Sequence, residues 1–307
     1  LTLPDTLNAQ DSAAQGPTSE RVRFLNTLRA APFSVKLCLL GMLAIFVLAI
    51  FAPWIAPYDP NKTSILNSLK APSWIPGGDP DHLLGTDKLG RDMFSRLIYG
   101  LRVSVGLSVL GVVIGGILGT ALGMLAGFVG GFWDRVVSTM VDVQIAIPFL
   151  LMTLVAIAAL GTEIWVLIAL LGIAGWETYA RVVRSQVIAI RARPFVEAAY
   201  AAGASHWRVA VREVLPNLVA ILTVLFTLNF PGILLLEASL SFLGLGVQPP
   251  TASLGRMVGD NRNDLAMAWW TALSPVILIL IVTLMIQLIG DWLRDVFDVR
   301  LREGRRK

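Results

Sequence analysis

Six stretches without a charged side chain dominate the chain: Leu37–Tyr58, Val103–Trp133, Val143–Thr162, Ile164–Trp176, Val214–Leu236 and Leu265–Gly290. Five of them reach the roughly 20 residues that an apolar helix needs to cross the hydrocarbon of a bilayer. The fourth reaches that length when carried through Glu177–Ala180 to about Val183. The runs are continuously apolar and do not alternate, which predicts spanning helices and excludes an outer-membrane barrel. The pattern therefore predicts an all-α polytopic membrane protein with six transmembrane helices. Ahead of the first run, residues 1–20 are polar and small and read as an unstructured tail. Arg21–Lys36 mixes basic residues with Phe24, Leu25, Leu28 and Phe33, as a helix lying on a membrane surface does. The first run is longer and begins later than the apolar core of a signal peptide, so it reads as a retained anchor.

Within the second run Gly111, Gly115, Gly119, Gly123 and Gly127 recur every four residues. Four residues turn a helix by about 400°, so the row drifts slowly around the surface. Such a row suits a close, right-handed helix crossing, and these five glycines are the predicted helix-packing residues.

Composition removes the soluble alternatives. Hydrophobic residues make up 55% of the chain and charged ones 15%, with a mean hydropathy of +0.71, against about 25% charged in an ordinary soluble domain. A soluble enzyme and a disordered chain are excluded. The single cysteine, Cys38, lies in the first run, so there is no disulfide framework. Six spans put both termini on one side. With the N-terminus inside, cytoplasmic segments hold 17 of the 25 Lys and Arg residues, six of them in the 181–212 loop and six in Arg294–Lys307. The excess of basic residues predicts cytoplasmic N- and C-termini.

Chemistry is sparse. No Gly-Lys dipeptide occurs, so the chain lacks the phosphate loop of an ATPase. His82 and His206 stand apart outside the apolar runs, which leaves neither an intramembrane serine protease nor a clustered metal site. The chain reads as a non-enzyme with no catalytic residue and no bound metal. Ionisable residues at membrane depth are functional candidates by default. Asp142 and Glu163 flank the third run and read as solvated. Glu177 precedes Arg181 by four residues, the spacing of a helical ion pair. Glu237 follows Leu234-Leu235-Leu236, deep enough to serve a proton-coupled transporter.

The most informative segment is the basic loop from Arg181 to Pro216. Pro194 can open a helix. Ala198, Ala201, Ala202 and Ser205 then fall on one helical face, where small side chains let another protein approach closely. Gly203 allows a sharp turn, after which a short helix from Ser205 runs back to the membrane. The segment Glu197-Ala198-Ala199-x3-Gly203-x9-Glu213-x-Leu215-Pro216 resembles the EAA loop of bacterial ABC importer permeases, with Glu213 where an apolar residue or His is usual. Two further stretches are similar to the dipeptide/oligopeptide permeases: Leu84-Gly85-Thr86-Asp87-x2-Gly90-Arg91-Asp92-x2-Ser95-Arg96 through Gly100, and Ser239-Leu240-Ser241-Phe242-Leu243-Gly244-Leu245-Gly246 through Pro250. Gly290-Asp291-Trp292-Leu293-Arg294-Asp295 resembles their C-terminal tail, with Val299 in place of the usual proline. The match runs from about Leu37 to Arg302 and fits the C-type permease subunit.

The resemblance implies a type I ABC importer permease fold. It divides the chain into a cytoplasmic tail and interfacial helix (1–34), a first spanning helix with a periplasmic loop (35–100), a transmembrane domain (101–293) and a cytoplasmic tail (294–307). The EAA loop occupies about 190–216. The implied ATPase-coupling residues are Glu197, Ala198, Ala199, Ala201, Ala202, Gly203, Ser205, Leu215 and Pro216. The implied partners are a second permease, two cytoplasmic ATPases that carry ATP and Mg, and a periplasmic solute-binding protein; no nucleic acid and no cofactor on this chain are expected. Import of di- or oligopeptides across the bacterial inner membrane by alternating access is the implied function. Nickel chelates, glutathione, opines and sugars are the other cargoes of the same machinery.

Overall fold

The computed structural model describes residues 31–297, and the described residues are helical with a single isolated β-bridge, Thr86 to Asp92. The expected N-terminal tail, residues 21–30 of the expected surface helix and the C-terminal tail beyond Phe297 lie outside the described residues, while Phe33–Lys36 of that expected helix belong to the first span. The helices are α1 (Phe33–Ile50), α2 (Ala52–Ile55), α3 (Met93–Val129), α4 (Gly131–Ala146), α5 (Phe149–Leu160), α6 (Ile164–Ile173), α7 (Trp176–Arg191), α8 (Pro194–Ala201), α9 (His206–Val209), α10 (Leu215–Phe242), α11 (Leu254–Asn261) and α12 (Trp270–Phe297).

Five spans are long and apolar enough to cross a membrane: α1, α3, α6–α7, α9–α10 and α12. The sixth expected span departs from a straight helix. It starts at Gly131 and breaks between Ala146 and Phe149, where α4 and α5 meet at 89°. Pro148 is the cause. Its ring lacks an N–H and forces the preceding residue out of the helical region, and Ile147 is extended at φ −100°, ψ 126°. The fourth span also differs from its expectation. It runs from Ile164 to Arg191, interrupted at Ala174 and at Gly175, whose φ is 83°.

The glycine row explains how these elements assemble. All five glycines are buried. A Cβ built on Gly111 would meet Leu171 at 2.9 Å, on Gly115 the Gly172 carbonyl at 3.0 Å, on Gly119 the Tyr179 Cβ at 2.6 Å, on Gly123 the Ala180 carbonyl at 2.6 Å and on Gly127 the Arg184 carbonyl at 2.8 Å. The partners advance in step with the glycines, so α3 and α6–α7 run parallel. A chain leaving α3 can re-enter parallel to it only after crossing back, and α4–α5 is the segment available for that return. The bent pair therefore counts as a pass, and six passes result. On the other side of the molecule α1 buries Val35, Cys38, Met42, Ile45 and Ala49. That alternation of three and four residues makes a left-handed seam, laid against α12 and α3.

The segment between α2 and α3 folds onto the end of α3. Asp92 is the N-cap of α3, accepting from the Ser95 N–H at 2.8 Å and lying 2.9 Å from His82 Nδ1. Asp87 is fully buried and accepts from the Leu89 and Arg91 amides and from Arg91 Nε at 2.7 Å. Trp270 Nε1 reaches the Thr86 carbonyl at 3.3 Å and Lys88 Nζ the Asp260 carbonyl at 2.8 Å, fastening the segment to α12 and α11. Lys70 donates to Asp79 and holds its carboxyl below the usual carboxylate range. That pair contributes above the ordinary carboxylate pKa and fades as pH falls through the lowered one. Asp92→Ala is expected to lower the thermal midpoint of the purified protein. The cap is worth about 1 kcal/mol, and a buried His82 left without its partner costs about 1–3 kcal/mol more. Asp81→Ala, at an exposed position, should leave the midpoint nearly unchanged.

Candidate functional site

The loop between α7 and α10 is built by its local sequence. Pro194 opens α8, where its missing N–H is no loss. Gly203 ends it in the left-handed region, at φ 81°. The Ala204 N–H donates to the Ala199 carbonyl at 3.0 Å and the Gly203 N–H to that of Tyr200 at 2.9 Å, the paired bonds of a Schellman turn. Ser205 then caps α9, its hydroxyl accepting from the Arg208 N–H at 3.4 Å. A π-turn over Ala210–Val214 carries α9 into α10, so the loop continues into the next span as one helix.

The loop has an inner and an outer face. Val196, Val209 and Val214 have no exposed surface and pack with Val183, Val187, Ile190 and Leu218. His206 Nδ1 lies 3.0 Å from the Tyr200 hydroxyl and its ring meets Phe128 edge-on. Arg191 donates from Nη1 to the Gly127 and Phe128 carbonyls at 3.0 and 2.6 Å, with its guanidinium over the Phe128 ring. It thereby satisfies the last carbonyls of α3 and complements the negative end of that helix. On the outer face Glu197, Ala198, Ala201, Ala202, Gly203 and Ser205 are all exposed. Of the nine residues grouped from sequence, Ala199 turns inward against the valine cluster, Leu215 is half-buried at the start of α10, and Pro216 is exposed in the first turn of that helix. Sequence reasoning missed Arg191, whose role as a clamp on α3 has no local signature. It also missed Trp207, 78% exposed on α9, although an aromatic in a basic loop was legible as a contact residue.

A second feature lies within the membrane. The break at Ile147–Pro148, the break at Ala174–Gly175 and the Pro231 region of α10 converge on a cavity of about 440 Å³ lined by Gln144, Glu177 and Asn229 together with apolar residues. The ion pair expected between Glu177 and Arg181 is absent: among the described residues Glu177 joins no salt bridge, and its Oε2 is buried with no hydrogen-bond partner. Arg181 is exposed one turn further on, while Arg184 of α7 donates from Nε and Nη2 to the two carboxylate oxygens of Asp134 on α4. Glu237 lies elsewhere, fully buried near the C-terminal end of α10. It accepts from Ser241 Oγ at 2.7 Å beside Ser104 and Ser253, and Ser241 accepts in turn from the Val247 N–H. That cluster ties α10 to the loop after it and to α11.

The comparisons with known proteins agree in direction. The profile of the family described as binding-protein-dependent transport system inner membrane component matches residues 119–303. That of the N-terminal TM domain of oligopeptide transport permease C matches residues 36–72. A di/tripeptide transport system permease protein, DppC, of Pseudomonas aeruginosa is 42% identical over 266 residues, covering 87% of this chain and 88% of the relative. A glutathione transport system permease protein, GsiD, of Shigella dysenteriae is 38% identical over 263 residues, with 86% and 85% covered. A dipeptide transport system permease protein of Haemophilus influenzae is 36% identical over 268 residues, with 86% and 91% covered. Among solved structures, the MetNI methionine ABC transporter in inward-facing conformations superposes with a TM-score of 0.51 at 21% identity, over 66% of this chain and 97% of that one, a likeness of fold. The chain belongs to the binding-protein-dependent transport system inner membrane components: it is a multi-pass inner-membrane permease subunit of the dipeptide/oligopeptide type of ABC importer.

Proposed function

We propose that this chain forms one half of the path of an ATP-driven importer of short peptides. It pairs with a second, non-identical permease, two cytoplasmic ATPases and a periplasmic solute-binding protein. The observation that carries this reading is the loop from Glu197 to Pro216. Its exposed outer face is built of Ala198, Ala201, Ala202 and Ser205, while its inner face is fixed to the ends of α3 and α7 and its backbone continues into α10. Small side chains let α8 sit deep in a cleft of an ATPase, and the continuous helix passes the movement to the spans. Glu197, in the first turn of α8, favours that helix through its dipole by about 0.3–1 kcal/mol. Two helix bundles that close and open about a central path then supply alternating access. The chain performs no covalent chemistry; ATP and Mg belong to the partner ATPases. Short peptides are the proposed cargo, since the relatives are named for di/tripeptide, dipeptide and glutathione transport.

Reconstitution tests the reading. Proteoliposomes holding this chain with all its partners should take up peptide only with ATP on the ATPase side, and uptake should survive collapse of the proton gradient. Uptake by the lone chain, driven by a pH gradient and abolished by Glu237→Gln, would overturn it.

The proposed topology places 1–34 and 294–307 in the cytoplasm, the loop within 35–100 in the periplasm, and the transmembrane domain at 101–293. In a Cys38→Ala background, Ser68→Cys should react with an impermeant thiol reagent in cells with a permeabilised outer membrane, and Ser205→Cys should react only after lysis. The opposite labelling would invert the topology.

A further inference from the structure

The cavity between the two helix breaks and α10 has a chemistry of its own. Its depth follows from the packing of α3: Gly119 lies at the middle of the charge-free run Val103–Trp133 and touches Trp176 and Tyr179. Glu177 is therefore level with the centre of the membrane. Asn229, on α10, is close to the middle of the run Val214–Leu236. Interrupted helices at this depth are tolerated where the freed backbone lines a cavity and not lipid.

Glu177 is the only charged side chain lining the cavity. It stands in the first turn of α7, four residues before Arg181, whose charge acts on it without forming a salt bridge. A carboxylate oxygen buried without a donor is costly, and the cost is removed by a cation that enters the cavity. Asn229 adds a second acceptor. Its Nδ2 is occupied by the Leu225 carbonyl at 2.8 Å, and its Oδ1 lies beside Gly175, 3.5 Å from where a Cβ would stand. The last carbonyls of α4 end at the same cavity, the negative end of that helix. The lining thus offers acceptors from three helices and no cationic side chain. An ammonium group, with three donors and one positive charge, is the complementary ligand.

We propose that this cavity is a transit site for the ammonium group of the solute, with Glu177 as its counter-charge and Asn229 as a neighbouring acceptor. The proposal rests on the importer reading and narrows its cargo to solutes with a free primary amine, such as a peptide with an unblocked N-terminus. Gly175, lacking a side chain, leaves the space between the two acceptors open.

The test uses the complete importer carrying Cys38→Ala and Asn229→Cys. Cationic aminoethyl methanethiosulfonate should modify Cys at position 229 about tenfold or more faster than anionic sulfonatoethyl methanethiosulfonate, after correction for their rates with a simple thiol. Adding Glu177→Gln should abolish that excess, and Glu177→Asp should keep most of it. Alanylalanine should slow the modification, while N-acetylalanylalanine at equal concentration should not. Equal rates for the two reagents, an excess that survives Glu177→Gln, or equal protection by both peptides would overturn the site. So would failure of both reagents to react, which would mean that a neighbouring subunit fills the cavity. The importer reading fails separately, when the unsubstituted complex shows no ATP-dependent uptake. ATP-dependent uptake of a solute without an amine would overturn the transit role even with the cationic preference intact, while leaving the importer reading standing.

Discussion

Gly203→Val is expected to abolish uptake by the reconstituted importer while the chain still inserts in the membrane. The cause is conformational and not steric, because a Cβ at Gly203 would meet nothing within 4 Å. At φ 81° an L residue pays about 1–2 kcal/mol, and a β-branched one more, to hold the left-handed turn that ends α8. A penalty of that size lowers the ratio of folded to unwound loop about tenfold, and the loop loses both Schellman bonds when it unwinds. Gly203→Asn, which tolerates the left-handed region, should restore most of the activity. Ala201→Asp should have a similar effect by a different route, placing a charge on the exposed small-residue face without straining the turn. The measurements are binding-protein-stimulated ATPase activity and peptide uptake in proteoliposomes, with co-purification of the subunits. If Gly203→Val and Ala201→Asp both work at the wild-type rate, the loop is only a surface hairpin.

Gly119→Leu should produce the largest loss of stability of any single change along α3. A side chain there has no room between the two helices, where even a Cβ would stand 2.6 Å from that of Tyr179. Overpacking typically costs about 1–3 kcal/mol, and this position also separates helices held by close van der Waals contact and not by a hydrophobic drive. The complex should fail to assemble or melt well below the wild type. Two controls on the same helix isolate the cause: Val113→Leu, at a position 39% exposed, and Gly106→Leu, where a Cβ would meet nothing within 4 Å. Equal effects at Gly119 and at the controls would mean that Gly119 merely faces lipid.

The spans were legible because lipid imposes a one-dimensional rule, a long apolar run, that needs no tertiary information. The breaks were harder. Pro148 was visible inside the third run, yet Pro231 and Pro275 also lie in long helices, α10 and α12, without ending them. Which proline bends a span depends on what refills the freed backbone groups. The turns of the loop between α7 and α10 were legible from Pro194, Gly203 and Ser205 because caps and turns are local chemistry. The clamp of Arg191 on the end of α3 depends on contacts more than 60 residues apart in sequence, and the inward turn of Ala199 on a valine cluster assembled from three helices; no local pattern carries either. Glu177 was assigned to Arg181 from spacing, and that ion pair is absent, since spacing along a helix does not say which neighbour a cavity removes.

The π-turn over Ala210–Val214 fixes an angle. It inserts one residue beyond an α-helical turn, so everything on its loop side is rotated by about 100° relative to an uninterrupted helix. The outward aim of Trp207 and Ser205 is thus an angular offset held by backbone hydrogen bonding and by the buried Val209 just before the turn and Val214 at its end. Losing one residue from this turn would restore a regular helix and swing the exposed face of the loop a quarter-turn or more around the axis of α10, although no residue of that face had changed. Length, more than identity, is the constrained property of these five positions, and single-residue insertions and deletions there are equivalent to rotations of the whole loop.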